Sequence, residues 1–191
     1  MIRVISGRAK GRKLKKVPGD TTRPIMDRVK ENLFNILGPD VVGSRWLDLF
    51  AGTGQVGIEA LSRGAVGVVF VDNVWPAIRT IKDNLQHTGL AAEAQVVQTD
   101  ALKYLMQTAV KPFDVIYVAP PQYQGIWVQV MTLLDERPLA LLTPDGMIIV
   151  QIDPKEYEDL PLHNLTLVDQ RQYGNTQLCF YRQLDSDSEE A

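Results

Sequence analysis

Trp46-Leu47-Asp48-Leu49-Phe50-Ala51-Gly52-Thr53-Gly54-Gln55-Val56-Gly57 is the stretch from which the fold is read. An apolar run carrying a carboxylate passes into a loop with Gly52, Gly54 and Gly57 and continues into Ile58-Glu59-Ala60-Leu61, a helical pattern. This is strand, glycine loop, helix. Glycines suit the loop because the chain turns sharply, and because a ligand lying on backbone amides and a helix N-terminus leaves no room for a Cβ. The stretch therefore predicts a binding site.

The spacing Gly52-x-Gly54-x-x-Gly57, with Asp72 about twenty residues on, also fits a dinucleotide fingerprint, so the motif alone leaves two cofactors open. Asp48 separates them. A carboxylate at that strand end repels the pyrophosphate of NAD, whereas S-adenosylmethionine brings an ammonium and a sulfonium. The residues favour S-adenosylmethionine.

Downstream, apolar runs near 45–50, 67–72, 95–99, 113–118 and 146–152 alternate with helical patterns near 55–63, 76–88, 101–109 and 126–135. That alternation predicts a parallel sheet covered on both faces. Ile78, Ile81 and Leu85, and then Leu102, Leu105 and Met106, read as core stripes of two helices. Two alternating runs, 164–170 and 176–182, flank Gly174-Asn175 and predict a hairpin closing the sheet with an antiparallel strand.

Ligands of such sheets bind beyond the carboxyl ends of the strands. Asp48, Asp72 and Asp100 stand at three successive strand ends, and Ala119-Pro120-Pro121 at the fourth. Asp72 is suited to accept from both ribose hydroxyls, and Asp100, followed by Ala101, from the adenine amine. With Gly52, Thr53 and Gly54 in the loop and Asn73 beside Asp72, these residues form the expected cofactor set.

Upstream, residues 2–17 read as a basic hairpin turning around Gly7 to Gly11. The net charge of -3 hides an asymmetry, since half of the 20 Lys and Arg residues fall in the first thirty positions. Such a cluster in an otherwise acidic chain points to a nucleic-acid partner. Pro24 then opens a helix, Ile25 to Leu37, with Val29, Leu33, Ile36 and Leu37 at helical spacing, and Gly38-Pro39 stops it. Arg28, Glu31, Asn32 and Asn35 on its other face either line a substrate entrance or face water.

With 191 residues, 45% of them apolar and 23% charged, one soluble core is expected. No apolar run approaches about 18 residues and no signal-peptide core begins the chain, so a cytoplasmic protein without a membrane partner is expected. Cys179, the single cysteine, reads as a core residue, and neither a disulfide framework nor a metal site is expected. The acidic tail from Asp185 to Glu190 has too little apolar content to fold.

The block Arg23-Pro24-Ile25-Met26-Asp27-Arg28-Val29-Lys30-Glu31-Asn32-Leu33-Phe34, with Leu47 to Gly54 and Gly57-Ile58-Glu59-Ala60-Leu61-Ser62-Arg63-Gly64, resembles the RsmD family. The resemblance runs from Gly11-Arg12-Lys13-Leu14 to the final hairpin and leaves out only the acidic tail. It implies an α/β fold: a Rossmann-like class I methyltransferase with a seven-stranded, mostly parallel sheet, helices on both faces, the last strand inserted antiparallel, and a small basic N-terminal hairpin in front. Residues 1–40 would form an RNA-facing extension, 41–184 the S-adenosylmethionine-binding methyltransferase domain, and 185–191 a disordered tail. The implied activity is methylation of the exocyclic amine of a guanine in bacterial 16S ribosomal RNA. The implied partner is ribosomal RNA or a small-subunit particle, and the expected state is a monomer. Arg3, Arg8, Lys10, Arg12, Lys13 and Arg23 are then the expected RNA contacts.

One departure bears on the chemistry. The family pattern at the fourth strand end is Asp-Pro-Pro-aromatic, and this chain has Ala119-Pro120-Pro121-Gln122, with Tyr123 one place late. A guanine amine is a poor nucleophile, so an acceptor must localise its lone pair while an aromatic stacks on the base and aims it. The expected catalytic set is Ala119, Pro120, Pro121 and Tyr123, with the Pro120 carbonyl or an acid such as Asp153 replacing the missing carboxylate. The alternative is a binding protein of the ribosome-assembly type that holds S-adenosylmethionine and RNA without methyl transfer. A dehydrogenase is opposed by Asp48 and the basic N-terminus.

Overall fold

The computed structural model describes residues 1–19, 24–107 and 111–184, so Arg23 and the acidic tail lie outside the described residues. The elements are β1 (Ile2–Arg3), β2 (Lys13–Leu14), α1 (Asp27–Leu37), β3 (Arg45–Leu49), α2 (Gln55–Ser62), β4 (Gly67–Asp72), α3 (Trp75–Thr88), β5 (Ala94–Gln98), α4 (Ala101–Leu105), β6 (Phe113–Val118), α5 (Ile126–Glu136), α6 (Pro138–Leu141), β7 (Leu142–Ile152), β8 (Leu165–Tyr173) and β9 (Thr176–Gln183). Seven strands, β3 to β9, make the mostly parallel sheet, and β1 pairs antiparallel with β2 as the expected small hairpin. No helix among the described residues is long and apolar enough to cross a membrane.

The chain divides into two compact units, Met1–Ala101 and Leu102–Ala191. In the first, β5-β4-β3 are parallel neighbours. Every residue of α2 is buried. Its inner side lies so close to β4 that a Cβ on Gly57 would stand 2.3 Å from Phe70 Cε1, which makes this a packing glycine. Its outer side is covered by the N-terminal segment, where a Cβ on Gly7 would meet the Ser62 carbonyl oxygen at 1.8 Å. Ile2, Val4, Ala9, Leu14 and Val17 of that segment are core residues, and the lysines and arginines between them face out.

α1 begins at Asp27 rather than Ile25, because the backbone at Met26, just before it, is extended. Its buried face is Val29, Lys30, Leu33, Phe34 and Leu37. Ile36, read from sequence as part of that face, is exposed, and Lys30 is buried instead. A charged side chain with buried partners has taken an inward position that hydrophobicity alone assigns wrongly. Phe34 stacks on Trp46 of β3 with centroids 5.5 Å apart, and the Arg63 guanidinium sits 4.8 Å from the Phe34 centroid.

In the second unit, β6 and β7 are parallel and β9 lies antiparallel between β7 and β8. The β8–β9 hairpin turns through Gly174-Asn175, where Tyr173 faces Thr176 and Gly174 has φ 61. Positive φ at the first turn residue only is the sign of a type II′ turn. β7 starts at Leu142, four residues before the expected strand, because the register jumps from Phe113↔Leu142 to Val115↔Met147. Thr143-Pro144-Asp145-Gly146 looks like a turn in sequence and is here a bulge within the strand. α4 ends at Leu105, so Met106 falls past the helix and is exposed rather than part of a core stripe. Cys179 is buried in β9, as its alternating neighbours imply.

Candidate active site

The first unit assembles the expected cofactor residues at the carboxyl ends of β3, β4 and β5. Phe50, Gly52 and Gly54 adopt positive φ of 61, 56 and 77, which reverses the chain between β3 and α2. Gly52 N–H donates to Asp72 Oδ2 at 2.9 Å, and Val74 N–H donates to Asp72 Oδ1 at 2.9 Å. Both oxygens of Asp72 are thus oriented by backbone, and each keeps lone-pair capacity for a further donor. Thr99 N–H donates to the Asp72 carbonyl at 3.1 Å, which brings the end of β5 to the end of β4. Asp100 and Ala101 follow directly, at the start of α4, and Asn73 is exposed beside Asp72.

Gly54 also has a packing role. A Cβ there would touch Ile81 Cγ1 and Cγ2 at 3.3 Å, on α3, so it would press into the core. Left-handed backbone and close packing both favour glycine at this position.

Asp48 is buried, and its Oδ2 accepts the Gly57 N–H at 3.1 Å. Burial pushes its carboxyl up to about 8, opposed by that hydrogen bond and aided by the charge of Asp72. Raised that far, the ligand-free carboxyl is mostly protonated at neutral pH; a cationic ligand beside it draws out the carboxylate, whereas a pyrophosphate would push its value up further. The cradle therefore fits S-adenosylmethionine on the chemistry of its donors. A raised folded-state value means the stabilising contribution is present below the unfolded carboxyl value near about 4 and lost as pH rises through about 8. Asp48→Asn, whose amide oxygen still accepts from Gly57, is expected to flatten the decline of ligand-free stability across that window. Urea titrations at a series of pH values check this, and an unchanged slope would clear Asp48 of the effect.

Asp72→Ala removes the acceptor that fixes Gly52 as well as a ligand contact. Affinity for S-adenosylhomocysteine is expected to fall by about 1–3 kcal/mol, read by calorimetry. Equal affinity in the variant would remove Asp72 from the cofactor set.

Three buried polar residues that the sequence reading passed over fasten the N-terminal segment to this cradle. Glu59 on α2 accepts from Ile5 N–H at 2.8 Å, Ser6 N–H at 3.0 Å and Arg63 Nε at 2.8 Å. Lys30 Nζ donates to the Arg3 carbonyl at 2.7 Å and Gln55 Oε1 at 3.2 Å, and lies 3.7 Å from Glu59 Oε2. Asn84 on α3 accepts from Lys15 N–H at 2.8 Å and donates to the carbonyls of Lys15 and Thr53. The signal for Glu59 was present: the lone acid in a helix whose interior is otherwise apolar needs a buried partner.

Among the expected RNA contacts, Arg3 is paired with Asp27 at 3.0 Å and Arg8 with Glu93 at 3.0 Å. Lys10, Arg12 and Lys13 are exposed at the turn of the segment.

The second unit carries the corner that follows β6. Pro120 is buried, Ala119 half-buried, Pro121 exposed, and Tyr123 exposed with φ 59. Tyr123 N–H donates to Glu156 Oε1 at 2.6 Å. Asp153, the acid named from sequence, is buried with its carboxylate accepting the Lys155 N–H at 2.9 Å as a helix cap. Its neighbour Glu156 is the acid that reaches the corner.

A mostly parallel sheet closed by an antiparallel hairpin, with a glycine loop and an acid at the next strand end, defines a Rossmann-like class I methyltransferase fold. The profile of the family described as conserved hypothetical protein 95 matches residues 2–182. The chain belongs to this family, the one its motifs resemble. YlbH of Bacillus subtilis, a candidate rRNA methyltransferase, is 41% identical over 183 residues, 95% of this chain and 98% of that protein. Ribosomal RNA small subunit methyltransferase D of Haemophilus influenzae is 37% identical, with 91% of this chain and 89% of that protein aligned. A solved structure from Escherichia coli, a candidate methyltransferase, yhhF, superposes with a TM-score of 0.83 at 33% identity, covering 95% of this chain and 97% of that one.

Proposed function

We propose that this protein transfers a methyl group from S-adenosylmethionine to the exocyclic amine of a guanine in small-subunit ribosomal RNA, as a monomer acting on RNA or a small-subunit particle in the cytoplasm. The observation that carries the reading is the cradle at β3 and β4, where Asp72 is tied to Gly52 and coupled to the buried Asp48. The kinship with a small-subunit rRNA methyltransferase supports the substrate class.

When bound, S-adenosylmethionine supplies a methyl group on a positively charged sulfur. Asp72 would hold the ribose hydroxyls, with Asn73 beside it, and Asp100 and Ala101 the adenine edge. The backbone of Gly52, Thr53 and Gly54 at the head of α2 would hold the amino-acid end. At the other corner, the Pro120 carbonyl accepts from the guanine amine in place of a side chain on Ala119, Pro121 keeps the turn rigid, and Tyr123 stacks on the base.

Lys10, Arg12 and Lys13 supply phosphate contacts, joined by Arg3 and Arg8, and Arg23 belongs to the same set on its sequence alone. Deleting residues 1–17 would be a poor test, because Ile2, Val4, Ala9, Leu14 and Val17 are core. Replacing Lys10, Arg12 and Lys13 by Gln is expected to lower the slope of log affinity against log salt by about 2 to 3 for rRNA, with melting unchanged. An unchanged slope would make the cluster a solvated face.

Incubation with methyl-labelled S-adenosylmethionine and unmodified small-subunit particles, followed by nucleoside analysis, tests the whole reading. Label in N2-methylguanosine is expected. Unlabelled RNA from wild-type protein would overturn it.

A further inference from the structure

We propose that Glu156 is a positioning residue for the target base: its carboxylate holds the turn after β6 in the conformation that presents Tyr123 as a stacking face. This rests on the methyltransferase reading above. Among the described residues, only Phe50 and Tyr123 are non-glycine residues with positive φ. A tyrosine in left-handed backbone is strained and persists where its surroundings fix it, and such strain gathers at functional sites.

The fixing group is in place. Glu156 Oε1 accepts the Tyr123 N–H at 2.6 Å, and Oε2 of the same carboxylate accepts the Asp153 N–H at 3.4 Å. Asp153 in turn caps the short turn Pro154–Glu156, so the carboxylate belongs to a closed capping box. That turn follows β7, the parallel neighbour of β6. A second tie lies four residues beyond Tyr123, where Trp127 stacks on Tyr157 with centroids 6.3 Å apart. The corners after two adjacent strands are therefore fastened on both sides.

The sequence departure explains the need for this clamp. Gln122 takes the place directly after the prolines and displaces the aromatic by one residue. In extended backbone a one-residue displacement sends a side chain to the opposite side. Left-handed backbone at Tyr123 redirects the chain, and Gly125 with φ 66 completes the turn into α5. Tyr123 is left 62% exposed, as a face that receives a base must be.

The test compares Glu156→Ala, Glu156→Gln, Tyr123→Ala and the Glu156→Ala/Tyr123→Ala pair in single-turnover methyl transfer to unmodified small-subunit particles. Glu156→Ala and Tyr123→Ala are each expected to slow transfer by about 10- to 100-fold, and the pair by no more than either alone. Affinity for S-adenosylhomocysteine and the melting midpoint should stay at wild type. Glu156→Gln should restore most of the rate, because its amide oxygen accepts the Tyr123 N–H and only the longer contact to the Asp153 N–H, at 3.4 Å, is given up. A Glu156→Ala rate equal to wild type, losses that multiply in the pair, or a rate loss that tracks melting would overturn the proposal. Wild-type protein that transfers no methyl group counts against the proposed function, and stacking then decides this inference separately. Quenching of 2-aminopurine in bound rRNA, lost in Tyr123→Ala and Glu156→Ala and kept in Glu156→Gln, supports it; quenching untouched by Glu156→Ala overturns it.

Discussion

Glu59→Ala is expected to destabilise the protein by about 3–5 kcal/mol, read as a lowered urea midpoint. Glu59 and Lys30 both have 0% of their side chains exposed. Truncating Glu59 orphans the N–H groups of Ile5 and Ser6 and leaves the Lys30 ammonium and Arg63 without their acid. Burial already lowers the Lys30 value from 10.5, with Glu59 and Asp27 opposing that shift. A lowered folded-state value means that the Lys30 contribution is present above the unfolded value and lost as pH falls through the folded one. Removing Glu59 lowers the folded value further, so the loss in Glu59→Ala should deepen as pH falls from 10.5. Adding Lys30→Met should recover part of it by removing the orphaned charge. A midpoint equal to wild type, or a double variant less stable than the single, would show that the network is not what fastens the N-terminal segment to α2.

Ala119→Asp is expected to raise the single-turnover rate of methyl transfer by roughly tenfold to thousandfold, the span that one well-placed acceptor contributes. On the proposed mechanism the wild-type corner offers the amine a carbonyl, which localises the lone pair less strongly than a carboxylate. Asp153 is not free to compensate, since its carboxylate caps the following turn. Cofactor affinity should change little, because Ala119 is not in the cofactor set. Rapid quenching with labelled S-adenosylmethionine separates the chemical step from product release. A rate at background in wild type and variant alike would favour the binding-protein reading. A wild type slowed by the substitution would mean that another group already occupies the amine and clashes with the new carboxylate.

The sheet and the glycine turn between β3 and α2 were legible in the sequence because their causes are local. Gly52 and Gly54 carry the left-handed turn, apolar runs of strand length alternate with helical stripes, and Asp48, Asp72 and Asp100 recur at strand ends. Each can be recognised from a few neighbouring residues. Even the final hairpin announced itself through Gly174-Asn175.

What the chain alone left open depends on residues far apart in sequence. Glu59 meets Ile5 and Ser6 across more than fifty positions, and Asn84 joins Lys15 to Thr53. No periodicity encodes such partners, so the N-terminal segment read as a basic extension although Ile2, Val4, Ala9, Leu14 and Val17 in it are core. Ile36 and Lys30 exchanged places for the same reason: burial of a charge is decided by the partner waiting inside, not by the residue's own hydropathy. At the corner after β6, local sequence showed only what was missing, Ala119 and the displaced Tyr123. Folding then supplied Glu156 from the end of the neighbouring strand, because parallel strands bring the ends of separate segments together regardless of their distance along the chain.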